Sequence, residues 1–89
     1  MSDNTLKSGL QQEILTVSDL LYQNNLGEGV KALPSLIQKL AGFSSELAQE
    51  DIPAYTNIMK NIMESMELKD YVLLADLLIF EVNPILDNY

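Results

Sequence analysis

Apolar positions along this chain fall into four groups of helix length. Near the N-terminus Leu6, Leu10, Ile14, Val17 and Leu21 recur at steps of four and three, which lays them along one stripe of an α-helix. The spacing predicts a helix from about residue 3 or 4 to 24, with Asp3 or Asn4 as N-cap. Asn24-Asn25-Leu26-Gly27 is its stop, because Asn and Gly tolerate the left-handed conformation that ends helices. Val30, Leu33, Ile37, Leu40, Ser44 and Leu47, widened by Leu36 and Phe43, predict a second helix over about 28–49. Pro34 has no amide hydrogen and clashes with the preceding turn, so it either kinks this helix or marks a late start. Gly42 and Ser44-Ser45 weaken its later part.

Glu50-Asp51-Ile52-Pro53 is the clearest boundary: Asp51 is a good N-cap, and Pro53 is tolerated only in a first turn. A third helix is predicted over about 53–67, with Tyr55, Ile58, Met59, Ile62, Met63 and Met66 on its apolar side. The link to the fourth is short, with Asp70 as the cap. Helices three and four are therefore antiparallel neighbours. Period-two alternation is absent, so strands are not expected. The predicted fold is all-α: residues 1–89 form a single domain, an up-down bundle of three to four antiparallel helices.

The last group, residues 70–89, carries more apolar side chains than one helix face holds. Wound at about 100° per residue, its polar residues form two rows, one of Lys69, Asp76, Asn83 and Asp87, the other of Asp70, Glu81 and Asn88. On one side lies a wide apolar face of Tyr71, Val72, Ala75, Leu78, Ile79, Val82, Ile85 and Leu86. Between the rows lies a narrower stripe of Leu73, Leu77, Phe80 and Pro84. A helix covered on one side needs only one apolar face. Two faces mean a central place in the bundle or a second partner, and a helix at the corner of a four-helix bundle keeps one side open, which favours the partner. Pro84 is expected to bend or end this helix and leave residues 85–89 as a last turn or frayed tail.

Charge narrows the partners. Thirteen acidic residues face five Lys and no Arg, for a net charge of −8. Nucleic-acid binding needs a basic stripe to neutralise phosphates, so neither nucleic acid nor an anionic membrane surface is expected as a partner. The carboxylates are scattered, as they are on a surface kept soluble by charge. No apolar run approaches the roughly 18 residues of a membrane span, and the polar start carries no export signal. Absence of cysteine fits a reducing cytoplasm.

Little is left for chemistry. Without His or Cys the usual general base, zinc ligands and strongest nucleophiles are missing. Gly27-Glu28-Gly29 is too short for a phosphate loop and reads as a helix connection. Glu46/Glu50 and Glu64/Glu67 flank the apolar stripes as solvated pairs, not as metal ligands. No catalytic residue, metal or cofactor is expected, and the chain reads as a non-enzyme. Met59, Met63 and Met66 read as core fillers, with an adaptable binding surface as the alternative. Asp76 shares its row with Lys69 and Asn83 and is expected to be exposed, and Glu81 to lie at the rim of the broad face.

The run Lys69-Asp70-Tyr71-Val72-Leu73-Leu74-Ala75-Asp76-Leu77-Leu78, followed by Phe80-Glu81 and Pro84, resembles the C-terminal signature of small uncharacterised helical proteins of Gram-positive bacteria. In those a K-D-Y-x-L-L-A-D-L-L stretch precedes an aromatic-Glu pair and a Pro; Ile79 stands where Glu is commoner. Gly29-Val30-Lys31-Ala32-Leu33 with Leu36-Ile37 fits the same pattern loosely. The resemblance implies a cytoplasmic helical bundle and no established activity. In size, acidity and helix pattern the chain is also similar to small flagellar export chaperones, a likeness of fold alone.

The expected function is protein–protein interaction: the chain self-associates, as a homodimer for example, or binds a partner helix. Leu73, Leu77, Phe80 and Pro84 would supply the buried stripe, with Asp76 and Glu81 at its rim setting register. The alternative is an acidic regulatory or chaperone-like protein that occupies a basic surface on an enzyme, export substrate or nucleic-acid binder.

Overall fold

The computed structural model describes the backbone from Ser2 to Tyr89 and side chains from Lys7 onward. Helix α1 (Ser2–Tyr22) is followed by α2 (Leu26–Phe43), two short 3₁₀ turns (Ser44–Glu46 and Gln49–Asp51) and α3 (Ile52–Glu67). A final helix spans 71–87: α4 (Tyr71–Asp76), a π-helical segment (Leu77–Val82) and α5 (Asn83–Asp87) run on without a break. The described residues form an all-α bundle 34 × 24 × 19 Å. The side chains of Asp3, Asn4 and Leu6, to which a cap and a stripe position were assigned, lie outside the described residues.

Short links make the neighbours antiparallel. After α1, Asn24 takes a left-handed φ of 62° while the Asn25 amide returns to the Leu20 carbonyl, the closure expected of an Asn stop. After α3, Lys69 does the same at φ 57°, with the Asp70 amide on the Ser65 carbonyl. The Asp70 side chain then accepts from the Leu73 amide at 3.2 Å and caps the final helix, as its position predicted. Helix α1 packs against α2 and the final helix, and the final helix also packs against α3. Its place between α1 and α3 buries Leu74, Ala75, Leu78, Val82 and Leu86 completely. They meet Leu10, Ile14, Val17 and Leu21 of α1, the predicted stripe, in one hydrophobic core. Gly29 lets α2 approach α1 closely: a Cβ there would stand 2.8 Å from a Leu21 methyl.

Helix α2 departs from its predicted bounds. It starts at Leu26 and runs through Pro34, so the late start does not occur. It ends at Phe43, six residues before residue 49, because hydroxyl groups take its last carbonyls. Ser44 Oγ donates to the Ala41 carbonyl at 2.6 Å, Ser45 Oγ to Gly42 at 3.0 Å, and the buried Tyr55 hydroxyl of α3 to Leu40 at 2.7 Å. Its buried face is Leu33, Leu36, Leu40 and Phe43 rather than a heptad through Val30, which is exposed.

Burial holds the Tyr55 hydroxyl up at about pKa 12, against 10.0 for a free tyrosine. The folded-state value is the raised one, so the contribution of Tyr55 is complete below pH 10 and is lost as pH rises towards 12. Urea unfolding at a series of alkaline pH values should show stability falling across that window. Tyr55→Phe should be less stable at neutral pH and fall less steeply across it; parallel curves for the two proteins would contradict this assignment.

The chain's end is anchored rather than frayed. The Tyr89 ring packs edge-on against Phe43 at 5.9 Å. Its hydroxyl donates to Asp51 Oδ2 at 2.6 Å and accepts from the Ala48 amide at 2.7 Å, which ties the α2–α3 connection to the final helix. Asp51 stands at the N-cap position of α3, yet its side chain makes no cap bond and serves Tyr89 instead. That bond is the main cause holding the Tyr89 hydroxyl above its ordinary pKa.

Candidate apolar docking surface

The π-helical segment decides what the final helix shows to the outside. Leu74, Leu78, Val82 and Leu86 step by four, which in an α-helix drifts about 40° per step and about 120° over three. A π turn takes in about one extra residue, worth roughly 100° of rotation the other way. The wider turn therefore keeps all four on one line facing the core. The Asn83 amide donates to the Leu78 carbonyl five residues back. The same widening relieves the clash that Pro84 would make with the Phe80 carbonyl in a regular α-helix. Pro84 consequently does not end the helix; helical geometry continues to Asp87.

The narrow stripe predicted from a straight wheel is divided by that rotation. Leu73, 42% exposed, and the half-buried Leu77 lie on the flank towards α3. With Asn61, Glu64, Ser65 and Leu68 they line a mostly apolar groove of about 210 Å³. Ser65 is buried and folds its hydroxyl back onto the Ile62 carbonyl at 2.8 Å, so it presents no unsatisfied donor to the groove. Leu68 stands 76% exposed at the end of α3. Phe80 is 65% exposed, and it, Glu81 and Pro84 are all exposed residues outside the groove lining. Val72, assigned to the wide buried face, is instead exposed, because α1 and α3 leave that edge of the helix open.

Asp76 is half-buried rather than exposed and belongs to the opposite flank. Its Oδ1 accepts a hydrogen bond from the Tyr22 hydroxyl of α1. That bond, helped by desolvation, pushes the Tyr22 hydroxyl up to about pKa 12. Gln11 Nε2 donates to Asp87 Oδ1 at 2.7 Å farther along the same pair of helices. The two bonds fix α1 and the final helix in antiparallel register. Asp76 thus holds the bundle together while Leu73 and Leu77 open towards α3. Of the six residues proposed from sequence for partner contact, the groove brings Leu73 and Leu77 together.

The other half of the groove was missed. Glu64 reads as a solvated flank of the α3 stripe, and Leu68 as part of the short link to the final helix. The available signal was Leu68 itself, a large apolar residue within an otherwise charged Glu67-Leu68-Lys69-Asp70 connection. Among the three methionines, Met59 and Met66 pack half-buried against the core, whereas Met63 is exposed. Glu46, Glu50, Glu64 and Glu67 are solvated. Among the described residues no three carboxylates converge as metal ligands, and no helix is long and apolar enough to cross a membrane.

The described residues form a four-helix bundle with an open apolar groove between α3 and the final helix. The chain belongs to the family described as a domain of unknown function, DUF8042, whose model matches residues 4–89. No curated protein and no solved structure matches the chain.

Proposed function

We propose that this protein is a non-enzymatic interaction module that docks a helix, from a partner or from a second copy, on the outer side of its C-terminal helix. The observation that carries this reading is the apolar groove in which Leu73 and Leu77 meet Leu68. Leu68 and Leu73 are exposed large apolar residues beside a helix whose other side already supplies the core. Large exposed apolar surface is costly to leave in water, and a cluster of it marks an interaction site. Burying Leu68, Leu73 and Leu77 at ~25 cal/mol per Å² contributes several kcal/mol before association costs. Glu81 then lies at the edge of the contact, where a charge sets register more than affinity. The resemblance of 69–84 to small Gram-positive helical proteins, and the chaperone-like size and pattern, accord with such a role in the cytoplasm.

Leu77→Lys tests it. The long aliphatic stem of Lys can lie along the half-buried site with its ammonium in water. The variant is therefore expected to keep its helical circular dichroism while losing self-association in sedimentation, or losing the partner that the unaltered protein retains from its native extract. If Leu77→Lys unfolds the chain, the stripe is core and the reading fails.

A further inference from the structure

We propose that the occupant of the Leu73–Leu77 groove is an amphipathic helix of a different protein, carrying Lys or Arg beside its apolar face, and not a second copy of this chain. The inference rests on the interaction reading above and adds the partner's chemistry. At about 210 Å³ the groove is smaller than the roughly 300 Å³ at which small-molecule pockets begin. It suits one or two side chains projecting from a helix laid along the seam between α3 and the final helix.

Charge selects between a copy and a stranger. Glu64 forms part of the groove wall, and Glu67 is exposed one turn farther along α3. Asp70 is exposed at the start of the final helix and Glu81 farther along it. The groove lining contains no Lys, and Lys60 and Lys69 are the bases nearest to it along α3 and its link, in a chain of net charge −8. Two copies meeting here would bring −8 against −8 with little basic surface to offset it, and like charges placed face to face oppose association. A cationic helix meets the apolar groove and the acidic surround at once, and the field of the whole chain speeds its approach.

Two synthetic helical peptides with one shared Leu/Phe face, one flanked by Lys and the other by Glu, test the assignment by fluorescence anisotropy against the full chain. The Lys-flanked peptide is expected to bind at least tenfold more tightly than the Glu-flanked one. Its binding should weaken at least tenfold in Leu68→Gln and in Leu73→Gln, two exposed positions whose substitution leaves both charge and core unchanged. Sedimentation of the peptide-free chain should give a monomer. A dimer that Leu73→Gln dissociates, or equal binding of both peptides lost in Leu73→Gln, overturns the cationic-partner inference and leaves the interaction reading standing. Binding of the Lys-flanked peptide that ignores both substitutions is surface charge alone and overturns both. A monomer that binds neither peptide also overturns both.

Discussion

Leu78→Ala is expected to lower the free energy of unfolding by about 2–5 kcal/mol, a large part of the roughly 5–15 kcal/mol typical of a small domain. Leu73→Ala, five residues earlier on the same helix, is expected to lower it by less than about 1 kcal/mol. Leu78 has no exposed surface and lies where the final helix meets both α1 and α3. Truncation there removes apolar burial and leaves a cavity that packed neighbours fill only in part. Leu73 already spends much of its surface in water, so its loss removes few contacts. Urea unfolding followed by circular dichroism measures both. Comparable losses for the two would mean that the outer side of this helix is as much a part of the core as its inner side.

Deleting Phe80 while changing Pro84→Ala should leave a folded domain, whereas deleting Thr16, also exposed, should unfold it. The segment Leu77–Val82 holds about one residue more than an α-helix of the same length. Removing one residue there and the proline that disfavours α geometry restores a regular helix. Leu74, Leu78, Val82 and Leu86 then follow steps of four, three and four, and stay on one face. No such slack exists in α1. Loss of Thr16 turns Val17 and Leu21 by about 100° against Leu10 and Ile14, and all four are buried. Circular dichroism and a cooperative thermal transition distinguish a folded product from an unfolded one. Unfolding of the Phe80 deletion would mean that the π segment itself, rather than the alignment it produces, is required.

What could be read in the sequence follows from the range of the forces involved. The α1 stripe from Leu10 to Leu21, the Asp70 cap and the Asn24 stop depend on neighbours within a turn or two, and all appear in the structure where the spacing placed them. The end of α2 depends in part on Tyr55, fifteen residues away, whose hydroxyl takes the Leu40 carbonyl. Asp51 looked like a cap from its neighbours and is claimed instead by Tyr89, across the fold. The excess of apolar residues in 70–89 was legible as two faces, but a straight wheel could not foresee the wider turn that Pro84 and the four-step core residues favour together. That turn separates Pro84 and Phe80 from Leu73 and Leu77. The α3 side of the groove was hidden because a polar face, read alone, gives no sign of the leucines set beside it from another helix.

The urea-unfolding midpoint of the double variant Leu73→Lys/Phe80→Lys bears most directly on the claim that the C-terminal helix carries large apolar residues that the core does not use. Both positions are exposed, and surface substitutions change stability by about 0.5 kcal/mol or less each. The expected result is a folded protein within about 1 kcal/mol of the unaltered chain. A loss of 3 kcal/mol or more would place those residues in the core and contradict the claim.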